Sequence, residues 1–344
     1  MAVTLFTIQK AGESTTWDVR QLLESDIEWT TDIDFSAGEL KFKLVEVDEG
    51  FTPKSGDIVR FKWDNKPVFK GRIFKFDYDG SEVFSVTAYD SLRYFKNQDS
   101  LVWPVSTISQ RFTKVAKLAG VKYRVVNGSN HKLAAEVCDS KSYFDMLKDS
   151  FKSTQRATNV KHFLFDNYGT VELRKTPFKN IDYYIGDKSE MTNFSYSRSI
   201  DDSANIVRVV RTDKKKKQTS TSTAKASTKE DPKNTKFVTQ TVSHPNSVKK
   251  WGRLQVVEKA KDKANTAQMK QKAKDILKSK GKQAHTLKIS TFATLSMIPG
   301  NYYPVKIKSL KDIGVGTKYM MITKATHKFT STTETADLEM KVRW

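Results

Sequence analysis

The histidines and the single cysteine are the residues of this 344-residue chain that could support nucleophilic or metal chemistry. His131 precedes Cys138 by seven residues and Asp139 follows directly, a composition that cysteine proteases use. Such enzymes place the thiol at a helix N-terminus beside the imidazole, and no local pattern predicts that arrangement. The five histidines are scattered, without metal-ligand spacing. We therefore expect Cys138 to be a small buried residue, and we expect no cofactor, no metal and no catalytic residue.

Paired carboxylates are the second candidate for chemistry, because glycoside hydrolysis uses two of them. The densest acidic clusters are Glu46-Val-Asp48-Glu49 and Asp201-Asp202. Both adjoin predicted turns, where acidic side chains are commonly solvated or cap the backbone. No glycine-rich phosphate loop or nucleophile elbow is present. A non-enzymatic chain is therefore predicted, and a cell-wall hydrolase is the third of three hypotheses.

The formal net charge of +21 indicates an anionic partner, but the charge is unevenly distributed. Residues 1–100 carry a net charge of −5, whereas 212–236 carry +5 and 248–282 carry +9. Lysine runs of this kind are commonly solvated surfaces. Nucleic-acid binding is nevertheless the second hypothesis, with Lys214, Lys215, Lys216 and Lys217 as candidate polyanion contacts. The longest apolar stretches are about five residues, so no segment is predicted to cross a membrane, and the N-terminus does not resemble a secretory signal.

Residues 1–104 are predicted to form an all-β unit, a small barrel or sandwich. Side chains alternate between apolar and polar along several short segments, which is the period of a strand with one buried face. These segments recur about every ten residues and are joined by tight turns. They are Leu40–Leu44, Asp57–Trp63, Val68–Phe76 and Val83–Tyr89. Gly71 lies inside an aromatic strand, which predicts a bulge or a close approach of the backbone.

Residues 105–200 change to a helical period and are predicted to form a small α+β insertion. Apolar residues recur at helical spacing after Thr107, and Ser106 or Thr107 is a plausible cap. A second helix is predicted to begin at Ser142. A hairpin follows within Lys161–Arg174. The predicted insertion therefore consists of two helices and a hairpin.

Residues 201–344 are predicted to form a second β unit, similar to the first. A lysine-, serine- and threonine-rich insertion at 212–236 is predicted to be disordered, because it lacks the apolar side chains that would offset the entropy of ordering. A helix is predicted over 256–280, ended by Gly281. The predicted strands are Ile206–Val210, Phe237–Val242, Thr286–Phe292, Tyr303–Ile307, Lys318–Lys324 and Ala336–Val342.

The order of these elements, together with several short motifs, resembles the XkdQ/YqbQ family of late proteins from Bacillus defective prophages. The most specific block is Thr87-Ala-Tyr-Asp-Ser-Leu92, which follows the Phe-x-Gly-x-Ile pattern of Phe69–Ile73. Further similarity lies at Asp34–Phe42, Pro53–Phe61, Asn205–Val209, Gly300–Val305 and Ile322–His327. The motif positions are Gly56, Asp57, Phe69, Gly71, Ile73, Ala88, Tyr89, Asp90, Leu92, Gly300 and His327.

The resemblance implies a structural baseplate hub of a contractile phage tail or phage-tail-like particle. Such a hub carries two tail-tube-like β-barrel domains per chain, so a homotrimer presents a pseudo-sixfold ring between a hexameric tube and a trimeric spike. The implied partners are the tail tube protein, the spike and other baseplate proteins, and the tape-measure protein. DNA would pass through the lumen without specific binding. The implied location is the baseplate of a virion or tail-like particle assembled in the bacterial cytoplasm.

Overall fold

A computed structural model of the chain describes residues 2–45, 51–214, 235–260 and 264–342. It divides into two compact units, one formed by 1–196 with 286–344 and the other by 197–285. Strands dominate and helices are few, so the β-rich α+β class predicted from sequence is confirmed. Among the described residues, none of the helices combines the length and the apolar character needed to cross a bilayer.

The first β module is an antiparallel sheet with the strand order β2-β1-β5-β6-β7-β4-β3. One side chain in two is buried along β4 and β5, as their alternation predicted. The segment after β2 returns to β4, because Leu23 bridges Leu44 and the amide of Glu24 donates to the carbonyl of Lys43. The strands are β1 Val3–Gln9, β2 Thr16–Asp18, β3 Ile27–Asp32, β4 Glu39–Val45, β5 Ile58–Trp63, β6 Lys66–Tyr78 and β7 Val83–Tyr89.

A helical layer with its own core follows the first module. The predicted cap Thr107 accepts a hydrogen bond from the amide of Gln110, whose side chain returns one to the Thr107 amide. Ser142 caps the second helix by accepting a hydrogen bond from the amide of Asp145. The elements are a 3₁₀ turn Ser91–Lys96, β8 Gln98–Trp103, α1 Ile108–Leu118, β9 Tyr123–Val125, β10 Glu136–Ser142, α2 Tyr143–Thr158, β11 His162–Asp166 and β12 Val171–Lys175.

The second β module continues the sheet of the first without a break. Its longest strand, β20, pairs with β19 along its first half and with β3 along its second half, while β21 runs along its other edge. The two modules therefore share one 13-stranded sheet. The elements on the N-terminal side of the smaller unit are β13 Ile185–Gly186 and β14 Met191–Ser199, whose last three residues belong to that unit. Those after it are β18 Ala284–Phe292, β19 Tyr302–Lys306, α5 Lys308–Asp312, β20 Lys318–Phe329 and β21 Glu334–Val342.

The unit 197–285 is a small α/β layer in which one helix covers a three-stranded sheet of order β16-β15-β17. The predicted helix over 256–280 is wrong in its first part. Val256 and Val257 are β-branched and form a strand, and the helix begins only at Thr266, where Asn265 and Gln268 make a capping box. The elements are β15 Ile206–Lys214, β16 Thr235–Ser243, α3 Pro245–Trp251, β17 Gln255–Lys259 and α4 Thr266–Lys280.

The predicted disordered insertion 212–236 is shortened at both ends, because β15 extends to Lys214 and β16 begins at Thr235. The intervening residues lie outside the described part of the chain. The predicted domain limits after residues 104 and 200 differ from the two compact units, since the shared sheet unites both β modules. Folding domains at 1–104, 105–200 and 201–344 stay a prediction.

Candidate functional site

The residues that could do chemistry are dispersed. Within the described residues, no group of three or more His, Cys, Asp or Glu side chains is placed to hold a metal ion. Cys138 is buried, and burial raises the pKa of its thiol, which disfavours the nucleophilic thiolate. Asp201 and Asp202 are exposed to solvent, and the acidic cluster at 46–49 lies outside the described residues. The motif positions, in contrast, gather where elements of the larger unit meet.

The first meeting point joins the start of β5 to β6. Asp57 is buried, and its carboxylate accepts hydrogen bonds from the amides of Ala11 at 3.0 Å and Lys54 at 2.9 Å. Gly56 has a φ of +96°, which favours glycine, and its amide donates to the carbonyl of Ile73 at 2.8 Å. The amide of Ile73 in turn donates to the carbonyl of Asp57 at 2.9 Å. The Gly-Asp pair thus closes the turn that positions β5.

Gly71 lies where β6 passes closest to the end of β7. A Cβ atom at this position would collide with the carbonyl of Tyr89 and the ring of Phe69, so the predicted close approach of the backbone is present. Phe69 itself is buried opposite Phe61, and Ala88 is buried opposite Ile73. These motif residues are packing positions.

Asp90 ties the first module to the helical layer. Its carboxylate caps the 3₁₀ turn by accepting from the amide of Leu92 at 2.9 Å, and it also accepts from the amide of Gly38 at 2.8 Å. A Cβ at Gly38 would collide with this carboxylate. The next residue, Ser91, donates its amide to Asp166 in the turn of the β11–β12 hairpin at 3.0 Å. Three separate segments therefore meet at one buried point.

The pKa values of the two carboxyl groups at this point, Asp90 and Asp166, are both raised. Burial and then repulsion by Asp166 raise the pKa of Asp90 well above its ordinary value. Burial also raises the pKa of Asp166, against hydrogen bonds from Gly169 and Ser91 that lower it. Deprotonating this pair therefore opposes the contact between the first module and the hairpin.

The hairpin continues into a buried ion network. Although burial opposes it, hydrogen bonds from Asn167 and Arg124, together with the charge of Arg174, lower the pKa of Glu172. Arg174 donates to Glu172 at 2.7 Å and lies between the rings of Phe165 and Phe178, 4.2 and 4.0 Å from their centroids. A cleft of about 660 Å³ opens beside the network. Its wall includes Trp29, Val68, Asp166, Arg174, Phe178, Ile298 and Asn301.

Gly300 and His327 hold the second module to this region. Gly300 has a φ of +89°, and a Cβ there would collide with the ring of Phe163 in β11. His327, on the half of β20 that pairs with β3, is fully buried. Its Nε2–H donates to the carbonyl of Met297 at 3.0 Å, and its Nδ1 lies 2.9 Å from the carboxyl of Glu334. Gly300 thus packs its loop against the β11–β12 hairpin, and His327 holds the loop at Met297 to the shared sheet.

The candidate polyanion contacts belong to the unit 197–285, whereas the meeting points above belong to the larger unit. Lys214 is the last residue of β15 in the unit 197–285, and Lys215, Lys216 and Lys217 lie outside the described residues.

A family model described as YQBQ-like matches residues 27–341. The chain belongs to the YQBQ-like family. Two curated relatives from Bacillus subtilis (strain 168) are the uncharacterized protein YqbQ and the phage-like element PBSX protein XkdQ. Each is 26% identical over 293 residues, which cover 84% of this chain and 82% of the relative. The family predicted from the motifs is therefore confirmed.

A solved structure shares the fold of this YQBQ-like chain along its whole length. The 43 kDa tail protein of prophage MuSo2 from Shewanella oneidensis superimposes with a TM-score of 0.68 and 10% sequence identity. The similarity covers 98% of each chain. At that identity the comparison establishes the fold.

The motif reasoning missed the residues that complete these meeting points. Asp166, Glu172, Arg174 and Glu334 are all buried, whereas charged residues are ordinarily expected at the surface. The hairpin offered one usable signal, because Asp166 opens its Asp-Asn-Tyr-Gly turn, where an acidic side chain commonly binds backbone amides.

Proposed function

We propose that this chain is the structural baseplate hub of a contractile phage tail or phage-tail-like particle. Three copies form a ring with pseudo-sixfold symmetry, which adapts a hexameric tail tube to a trimeric spike. The relative XkdQ belongs to a phage-like element, and the fold is that of a prophage tail protein. Both similarities extend over most of the chain, so the proposed role belongs to the whole molecule.

The observation that carries the proposal is the edge-to-edge union of two β modules in one sheet. β3 and β20 pair over six residues each, and Phe329 at the end of β20 inserts between Phe61 and Trp63 of the first module, at 4.9 and 5.1 Å between ring centroids. The two modules therefore hold a fixed spacing. A threefold ring of such chains contains six β modules. Six modules match a sixfold tube, and three chains match a threefold spike.

The proposed partners follow from this position. The ring contacts the tail tube protein on one side and the spike and other baseplate proteins on the other, with the tape-measure protein near its axis. DNA passes through the lumen without specific binding, and the protein acts without an enzymatic step and without a membrane. It is assembled in the bacterial cytoplasm and resides in the virion or tail-like particle.

The proposal is tested by the mass and symmetry of the purified full-length chain, alone and with its tail tube protein. We expect a trimer of about 118 kDa, three times the 39.2 kDa of the chain, and negative-stain class averages with six lobes and threefold symmetry. Low and high salt are compared, because ring contacts between acidic and basic surfaces weaken with screening. A folded chain that stays monomeric at both salt concentrations and does not bind the tail tube protein would refute the proposal that it is a hub.

A further inference from the structure

The unit 197–285 holds most of the net positive charge of the protein. It contains 23 Lys and Arg residues against eight Asp and Glu, a net charge of +15 out of +21. The rest of the chain is close to balanced, with 37 basic and 31 acidic residues. Such an excess is not needed for folding, since like charges repel within a compact unit. It indicates a ligand that is anionic along its length.

The small sheet of this unit has one covered face. Val207 and Val209 of β15 point toward α4 and pack with its buried residues Met269, Ala273 and Ile276. The acidic side chains of the sheet lie on this same side and are paired. Asp213 binds Arg211 at 2.7 Å, and Glu258 lies 3.8 Å from Lys272 of α4.

Most of the described positions on the opposite face of the sheet are exposed, although Ile206 at one end of that face is buried. Strand registry places Arg208 between Thr241 and Val257, and Val210 between Thr239 and Lys259. Ile206, Thr235 and Ser243 also lie on this side of the sheet. The nine positions that define the open face contain two basic residues and no acidic residue. They are Arg208, Val210, Thr212, Phe237, Thr239, Thr241, Gln255, Val257 and Lys259.

Two apolar side chains on the open face are unusually exposed. Phe237 is 60% exposed and Val257 is 56% exposed, on a face whose other positions are three threonines, Arg208, Lys259, Gln255 and Val210. A solvated charged surface does not require a protruding phenyl ring. An aromatic ring on the same sheet face as arginine and lysine is a combination on which unpaired bases stack while phosphates are neutralised.

We propose that this open face, defined by the nine positions above, binds single-stranded nucleic acid. Arg208 and Lys259 contact phosphates, and one base stacks on Phe237. Phe237 pairs with Thr212, four residues from Arg208 on β15, so the two lie about 13 Å apart along the strand direction. That length accommodates roughly two to three nucleotides, as on other sheet platforms. Contact with phosphate and a generic base requires no particular sequence.

The test measures binding of a fluorescein-labelled oligothymidylate of about 20 nucleotides to the full-length chain by fluorescence anisotropy, between about 50 and 200 mM salt. Arg208→Gln with Lys259→Gln is expected to weaken binding at least about tenfold and to reduce the salt slope by about 1.4, because each phosphate contact on a single strand contributes about 0.7. Phe237→Ala is expected to weaken binding about tenfold with an unchanged slope, since stacking releases no counterions.

The matched control removes the same charge from the other side of the unit. Lys274 and Lys278 are exposed on α4, away from its buried stripe, and Lys274→Gln with Lys278→Gln is expected to change affinity less than about threefold. Circular dichroism verifies that each variant is folded, and the single Arg208→Gln and Lys259→Gln variants replace the double variant if it is not.

Four results would overturn the proposal. They are no binding at the lower salt, equal losses in the open-face and α4 variants, tighter binding of a duplex of the same length, and stronger competition by polyglutamate than by unlabelled oligothymidylate. The last result would assign the surface to an acidic protein partner.

Discussion

Replacing Gly300 by alanine should destabilise the larger unit by about 2–5 kcal/mol. The φ of +89° costs an L-residue about 1–2 kcal/mol, and forcing a methyl group into the ring of Phe163 adds about 1–3 kcal/mol of overpacking. Gly12→Ala is the matched control, because Gly12 has a φ of +77° with no atom within 4 Å of the added Cβ. The control should therefore cost only the backbone part, about 1–2 kcal/mol.

The assay is urea unfolding of the full-length chain followed by tryptophan fluorescence, with Phe163→Leu and the Gly300→Ala/Phe163→Leu double variant completing a cycle. A smaller side chain at position 163 makes room for the methyl group, so the double variant should recover about 1–3 kcal/mol relative to additivity. The backbone part should remain. Equal costs for Gly300→Ala and Gly12→Ala, or strict additivity in the cycle, would show that Phe163 does not restrict position 300.

Two further predictions concern buried carboxyl groups. Because the pKa values of Asp90 and Asp166 are raised in the folded state, the pair is fully compatible with folding below the ordinary carboxyl pKa and loses stability as pH rises through the raised values. Urea titrations should therefore show that the free energy of unfolding of Asp166→Asn rises relative to that of the wild type between about pH 4 and pH 7. A difference that does not depend on pH would contradict this. Glu334→Ala, which strips a buried partner from His327, should cost about 2–4 kcal/mol in thermal unfolding, whereas Lys328→Ala in an exposed pair should cost less than about 1 kcal/mol; similar costs would refute the role of the buried pair.

The charge of the chain has two different consequences. In the larger unit, charged residues such as Glu172 and Arg174 are buried and join structural elements. Among the described residues of the unit 197–285, most of the basic side chains lie at the surface, where they favour a polyanion. The proposed hub and the proposed nucleic-acid platform therefore rest on separate parts of the molecule. Loss of oligonucleotide binding on Phe237→Ala should leave the trimer intact.

The strands and helices of this protein were largely determined by local sequence. Alternation in β5 and β7, the capping box at Thr107 and the cap at Ser142 are satisfied within a few residues, so they are readable without knowledge of the rest of the chain. The use of local sequence alone also explains why a helix was wrongly predicted to begin at Val256. Helix-forming alanines and lysines masked the short β-branched segment at Val256 and Val257.

Only the tertiary structure decided how the two β modules meet. β3 pairs with β20, and the hydroxyl groups of Thr30 and Thr326 form a hydrogen bond between these strands. The two residues are 296 positions apart in the sequence, and no local period encodes such a pairing. The burial of Asp90 with Asp166 was likewise settled by packing, because a carboxyl group enters a core only where distant amides reach it. Sequence determined the elements, and long-range pairing determined the site they build.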